Sequence, residues 1–273
     1  MLISMDLIKQ LREKTNCGIG DCKTALTEAN GDLEQAAEIL RKKGIIKAAK
    51  RADREAGEGL ILVGVNANAN EGYILEINSE TDFVARNEQF KNFAAEIFTI
   101  IKEQKPANLD ELFTLPFDNS TVKEQLDIFS GTIGEKLAIK RMEVLSNPSG
   151  TVASYIHAGG LIGVLISLNA PDKQNLGIDI AMQVAAANPK YIDINEAQTN
   201  GTEEIAKEKE IYREQLKNEN KPEAMWEKIM EGKLQKYFQD VCLIEQEYIK
   251  DDKKKVKEIL GDVKIVKFVR YSL

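Results

Sequence analysis

A pattern of strand, glycine-containing turn, apolar strand and helix occurs twice in this 273-residue chain, and it constrains the fold more tightly than any other feature. In the first occurrence, 60–65 reads as a strand and 66–72 is rich in Asn, Ala and Gly, as a hairpin loop should be. Tyr73, Leu75 and Ile77 then alternate with Ile74, Glu76 and Asn78 in a mostly buried return strand. Phe90, Phe93, Ala94, Ile97, Phe98 and Ile101 follow at helical spacing. In the second occurrence, a strand over 152–156 leads through His157-Ala158-Gly159-Gly160 to a return strand over 161–168. After a loop at 171–175, Leu176, Ile180, Val184 and Ala187 line a helix that stops before Pro189. Two such halves predict an α+β class with a duplicated two-lobe core, each lobe placing helices on one face of a hairpin sheet. Between them, Val122, Leu126, Phe129 and Ile133 recur at helical spacing, and 137–145 reads as a strand leading into the second lobe.

The first fifty residues predict a compact module of three short helices. Met5, Ile8 and Leu11 give one apolar face before Thr15-Asn16-Cys17-Gly18-Ile19-Gly20 interrupts the pattern. Asp21 is placed to cap a second helix carrying Cys22, Ala25, Leu26 and Ala29. Asp32 and Gln35 are spaced as a capping box for a third, with Leu33, Ala36, Ala37 and Leu40, and Gly44 is its expected end. Seven basic residues against one acid in 41–54 read as a solvated linker helix, because no aromatic platform for nucleic-acid bases accompanies the charge. From 202 to 240 the composition turns to Glu, Lys and Gln. Ile205, Ile211, Tyr212 and Leu216 form a thin apolar stripe there. Met225, Trp226, Ile229, Met230, Leu234, Tyr237, Phe238 and Val241 form a fuller one beyond a Lys221-Pro222 turn. The pair predicts a protruding antiparallel helical hairpin, with Trp226 equally suited to an interface or to the hairpin's own packing. A short helix ending at Gly261 and a strand through Ile265, Val266 and Phe268 return the chain to the core. The expected segments are 1–55, 56–145, 146–201, 202–240 and 241–273.

Composition narrows the function classes. With 37 basic against 44 acidic residues the net charge is -7, so no broad attraction to nucleic acid or to an anionic membrane is expected. An apolar fraction of 43% is ample for packed cores, and no apolar run reaches spanning length, so a soluble, cytoplasmic protein is expected. Cys17, Cys22 and Cys242 are an odd count for a disulfide framework, and the first two lack a histidine at a metal-binding spacing. His157 is the only histidine. Ser154 lies near it without a nucleophile-elbow pattern, and no GxxxxGKS loop cradles phosphate, so neither a hydrolase nor a nucleotidase is favoured. The expectation is a protein that is not an enzyme and carries no cofactor or metal.

One junction breaks the symmetry of the repeat. In Glu76-Ile77-Asn78-Ser79-Glu80-Thr81-Asp82-Phe83-Val84-Ala85-Arg86-Asn87 the strand hands over to the helix, with Asn87, or Asp82 a turn earlier, as the helix cap. Phe83 falls at the handover. Spacing alone leaves its ring equally suited to the core or to projection as a wedge for a partner. The second half has no counterpart of Thr81-Asp82-Phe83-Val84, which favours a functional reading.

This tetrapeptide closely resembles the signature of bacterial translation elongation factor Ts. The resemblance extends to Thr24-Ala25-Leu26-Thr27-Glu28-Ala29-Asn30-Gly31-Asp32, to His157-Ala158-Gly159-Gly160 and to Glu231-Gly232-Lys233-Leu234, in family order. It implies a guanine-nucleotide exchange factor for elongation factor Tu in its GDP form. Thr81, Asp82, Phe83 and Val84 would enter the GTPase and disturb its magnesium site. It also implies that the first fifty residues are a ubiquitin-associated-like bundle meeting the GTPase through Arg12, Ile19 and Gly20, where Gly20 replaces a commonly bulkier residue. His157, Gly159 and Gly160 would form a hairpin tip against the distal barrel of elongation factor Tu. Whether two such complexes pair stays open. The rival readings are a non-catalytic adaptor working through the N-terminal bundle, and a hydrolase using His157 and Ser154.

Overall fold

The computed structural model describes residues 3–15, 17–219 and 222–273, which divide into two units. The first comprises the chain up to 62 together with 73–144, and the second 63–72 together with 145–272. Asn16 of the expected helix break and Lys221 of the expected turn lie outside the described residues.

The first unit begins with α1 (Met5–Thr15), α2 (Ile19–Glu28) and α3 (Leu33–Ala49). Ile8 and Leu11 pack with Cys17, Cys22, Ala25, Leu26, Ala36 and Leu40. Met5 does not join them and is 60% exposed, while Leu7 covers this core instead. A helix turns about 100° per residue, so positions 5 and 11 diverge, whereas 7 and 11 share a stripe. Asp32 caps α3 as its spacing requires, accepting from the amides of Glu34 and Gln35. Asp21 does not cap α2: Gly18 holds that position without a side-chain bond, and Asp21 sits in the first turn, paired with Lys47 at 3.1 Å.

Gly44 does not end α3, which continues to Ala49. Its missing side chain serves a helix crossing, because α3 packs on α7 (Val122–Ile133) with Gly44 against Gly131. A methyl group at Gly131 would stand 2.3 Å from the Gly44 Cα. This crossing also revises the expected solvated linker. Arg41 pairs with Glu124 at 2.6 Å, Arg51 donates to the Ser130 carbonyl at 3.4 Å and Arg54 pairs with Glu80 at 3.1 Å, so the basic run ties this segment to its own unit.

Strands β1 (Glu58–Val65), β2 (Glu71–Ser79) and β5 (Ala138–Ser146) form a sheet in the order β1-β2-β5. The strand expected to lead into the second lobe therefore completes the first sheet. A buried central strand cannot leave its second edge unpaired, and β5 supplies that partner. Tyr73, Leu75 and Ile77 of β2 face a core built from α5 (Glu88–Gln104), α6 (Leu109–Thr114) and α7. Between α6 and α7 a two-stranded turn, β3 (Pro116–Phe117) and β4 (Ser120–Thr121), inserts Phe117 beside Phe93, which also stacks on Phe129 with ring centres 4.5 Å apart. On the other face of β2, Glu76 is wholly buried and meets Arg141 Nε at 2.5 Å, Asn78 Nδ2 at 3.3 Å and Lys140 Nζ at 3.6 Å.

The second unit repeats the plan. Strands β6 (Thr151–His157), β7 (Ile162–Leu168) and β10 (Ile265–Ser272) pair antiparallel in the order β10-β7-β6, with Ala153 and Phe268 both opposite Ile166. Helix α8 (Gln174–Ala187) lays Ile180, Ala181 and Val184 on this sheet. A turn between Ala187 and Pro189 places Asn188 in the left-handed region, ending the helix where the proline required.

Next come α9 (Ile194–Asn200), α10 (Thr202–Asn218) and α11 (Trp226–Val241). Lys233 bonds Gln215 at 2.7 Å and Tyr237 reaches Glu204 at 3.5 Å, so α10 and α11 run past each other in opposite directions. Their stripes are covered less than the pattern suggests. Ile205, Leu216 and Phe238 are buried and Trp226 half-buried, but Ile211 and Met225 are exposed, because two helices alone cover only their shared seam. Cys242 lies buried with Tyr191, Ala197 and Phe238. The chain closes through a hairpin, β8 (Glu247–Tyr248) with β9 (Asp251–Lys255), and α12 (Val256–Leu260), which ends at Gly261 as expected.

Candidate functional site

At the strand-to-helix handover the chain makes two helices in succession. Thr81 is extended (φ -124°, ψ 154°) and its hydroxyl accepts from Val84 N, which starts the five-residue α4 (Asp82–Arg86). Asn87 then caps α5 by accepting from Gln89 N at 2.7 Å. The earlier cap is thus Thr81 and not Asp82, because Asp82 is already the first helical residue.

Consecutive residues of a helix diverge by about 100°, and α4 uses this to separate two apolar side chains. Val84 is buried in the core with Ile77 and Phe90. Phe83 is 83% exposed, the most exposed of the large apolar side chains among the described residues. The ring therefore projects from the protein's surface. Asp82 stands beside it, its side chain about half exposed and paired with Arg86 at 3.1 Å. An ion pair so open to water adds little to stability, so the carboxylate is free to change partners at low cost.

The backbone under Phe83 is held from below. Glu135, on the segment after α7, accepts from Thr81 N at 3.0 Å and from Thr81 Oγ1 at 2.6 Å. Ser79 Oγ donates to the Thr81 carbonyl at 2.9 Å. Glu80 accepts from Lys136 N at 2.5 Å and from Arg54 Nη1 at 3.1 Å. The Lys136 amide, and after it the Arg54 guanidinium, hold the Glu80 carboxyl below the usual carboxylate value.

In the same unit, Arg12 lies exposed on α1, and Ile19 and Gly20 lie exposed in the first turn of α2. Nothing stands within 4 Å of where a Gly20 side chain would begin, so the protein's interior places no demand for glycine there.

In the second unit, His157 ends β6 exposed, with Tyr155 Oη 3.1 Å from its Nδ1. Gly159 (φ 83°) and Gly160 (φ 76°) are both left-handed, so the turn itself requires them. Ile156 and Leu161 flank the tip and are exposed, which the sequence reading missed. Their signal was available, since an apolar pair beside a tight turn has little of its own core to reach. Tyr155 is the partner of His157, and no hydrogen bond joins Ser154 to that ring among the described residues. The corresponding handover after β7, at 169–173, carries no aromatic residue.

Among the described residues no group of three or more His, Cys, Asp or Glu side chains could hold a metal ion, and no helix is long and apolar enough to cross a membrane. A family model described as elongation factor Ts matches residues 80–273. The match opens one residue before Thr81 and takes in the β6–β7 tip and the α10–α11 pair, while Arg12, Ile19 and Gly20 lie outside it.

Proposed function

The chain belongs to the elongation factor Ts family, the nucleotide-exchange factors of translation elongation, and from that premise we propose that it releases GDP from elongation factor Tu by inserting Phe83 and Asp82 beside the partner's magnesium site. The observation that carries this reading is the outward Phe83 ring, mounted on a helix whose opposite side is anchored by Val84. A protein folding alone gains nothing from an aromatic ring in water, whereas burying it in a partner contributes roughly 1.5–3 kcal/mol.

Asp82 gives the wedge its sign. A carboxylate brought towards a site holding phosphates and Mg²⁺ competes for the cation or repels the anions, and either effect weakens nucleotide binding. Linkage makes the antagonism mutual: the factor weakens GDP by the same factor that GDP weakens it. Incoming GTP and aminoacyl-tRNA then complete the cycle by displacing the factor.

Two further surfaces are assigned to the same partner: Arg12, Ile19 and Gly20 on the N-terminal bundle, and the tip formed by His157, Gly159 and Gly160 with its exposed neighbours Ile156 and Leu161. They supply affinity, and the setting is the cytoplasm. Stopped-flow release of fluorescent GDP from elongation factor Tu tests the reading. The protein should accelerate release, Phe83→Ala should lose most of the effect, and His157→Ala should retain a large part at saturation. Release unchanged by the unaltered protein would remove the exchange reading in favour of an adaptor role for the bundle.

A further inference from the structure

Phe83 is 83% exposed, so little packing holds its ring, and its position follows the backbone of α4. That helix has five residues, far below the roughly 12–15 at which a helix is even marginal in isolation. Its own cap is weak, since the Thr81 hydroxyl lies 3.4 Å from Val84 N. Val84 anchors one side of α4 in the core, and the first turn needs a contact of its own to stay in one place.

We propose that Glu135 is that contact, a positioning residue for nucleotide exchange whose carboxylate clasps Thr81 by both amide and hydroxyl and so fixes where α4 presents Phe83. The proposal rests on the exchange reading above. The two Thr81 donors reach different oxygens, the amide Oε2 at 3.0 Å and the hydroxyl Oε1 at 2.6 Å, and a carboxylate offers both positions where an amide offers an acceptor at only one. The clasp is reciprocal: the Glu135 side chain holds the backbone of Thr81, while the Glu80 side chain holds the backbone of Lys136. Its far side is anchored in turn. Ser130 Oγ donates to the Glu135 carbonyl at 2.6 Å, and Lys136 Nζ donates to the carbonyls of Ala52 and Arg54 at 2.6 and 2.7 Å. The last turn of α7 and the segment after α3 thereby brace a junction 54 residues earlier than Glu135.

Loosening the clasp lowers the fraction of molecules whose α4 is ready to insert. A reduced competent fraction raises the concentration needed for half-maximal effect and leaves the plateau intact. Removal of the ring itself, in contrast, lowers the plateau. In stopped-flow GDP release with the full chain, Glu135→Ala should therefore raise the half-saturating concentration about tenfold with a plateau within about twofold of the unaltered protein. Glu135→Gln, which keeps one acceptor, should stay within about threefold. Amide hydrogen exchange of the free protein supplies a readout that general destabilisation would not mimic. Glu135→Ala should speed exchange at Thr81 and Val84 while Leu75 and Ile77 in β2 stay protected. An unchanged half-saturating concentration overturns the proposal, as does a lowered plateau at unchanged half-saturation, which would place Glu135 in the contact itself. Equal loss of protection in β2 overturns it in favour of a merely structural residue. If the unaltered protein fails to accelerate release, the exchange reading falls and this proposal with it. If it succeeds and Glu135→Ala matches it, only the positioning role falls.

Discussion

Two neighbouring truncations, Phe83→Ala and Val84→Ala, should have opposite consequences, because α4 turns one side chain into water and the other into the core. Phe83 is 83% exposed, so its removal should change the free protein's stability by no more than about 0.5 kcal/mol. In the proposed complex the same change would delete a burial worth roughly 1.5–3 kcal/mol, which at about 1.4 kcal/mol per decade predicts about a 10- to 150-fold loss of transition-state stabilisation in GDP release. Val84→Ala removes two buried methyl groups at about 0.8 kcal/mol each plus a small cavity contribution, so unfolding should become easier by about 2 kcal/mol. Its effect on GDP release should stay within a fewfold at temperatures where the protein is folded, since the ring and Asp82 remain. Urea unfolding of both variants and stopped-flow release with both separate the two losses. A Phe83→Ala variant destabilised by 2 kcal/mol or more, or one that releases GDP as fast as the unaltered protein, would refute the reasoning.

Three further outcomes follow from packing and charge. Gly131→Ala places a methyl 2.3 Å from the Gly44 Cα and should destabilise by about 1–3 kcal/mol in urea, whereas Gly20→Ala, with open space around it, should raise stability by roughly 0.5–1 kcal/mol; equal melting temperatures for the pair would contradict the helix crossing. Arg141→Ala strips the close charged partner from the wholly buried Glu76, leaving Asn78 Nδ2 at 3.3 Å and Lys140 at 3.6 Å, and should cost about 3 kcal/mol in denaturant unfolding; a loss under about 1 kcal/mol would show that this carboxylate is hydrated. The folded-state pKa of Glu80 lies below its ordinary 4.5, so the unfolded chain binds more protons in between, and the stabilisation is full above 4.5 and disappears as pH falls through the depressed value. The melting-temperature gap between the unaltered protein and Glu80→Gln should accordingly be constant from neutral pH down to about that point and close below it; a gap that persists into acid would count against the Lys136 and Arg54 contacts as its source.

The repeat of strand, turn, strand and helix determined the fold class by itself, because hydrophobic periodicity is a local property and each half carried its own. The same holds for the Asp32 cap, the Asn87 cap and the helix stop at Gly261, which depend on residues within a turn of each other. What the sequence left open were contacts between segments far apart in the chain. Gly44 read as a helix end until Gly131 came to face it, and the basic run after it read as solvated until Glu124, Ser130 and Glu80 were brought alongside. Strand β5 was legible as a strand, but its place beside β2 followed only from the need to pair a buried edge. Phe83 is the sharpest case. Spacing allowed the ring either side of the surface, and the one-residue offset from Val84, set when Thr81 and not Asp82 capped α4, turned it outward. That choice of cap involves Glu135, a side chain 54 positions distant that no local pattern marks, so only the folded chain decided which way the aromatic ring would face.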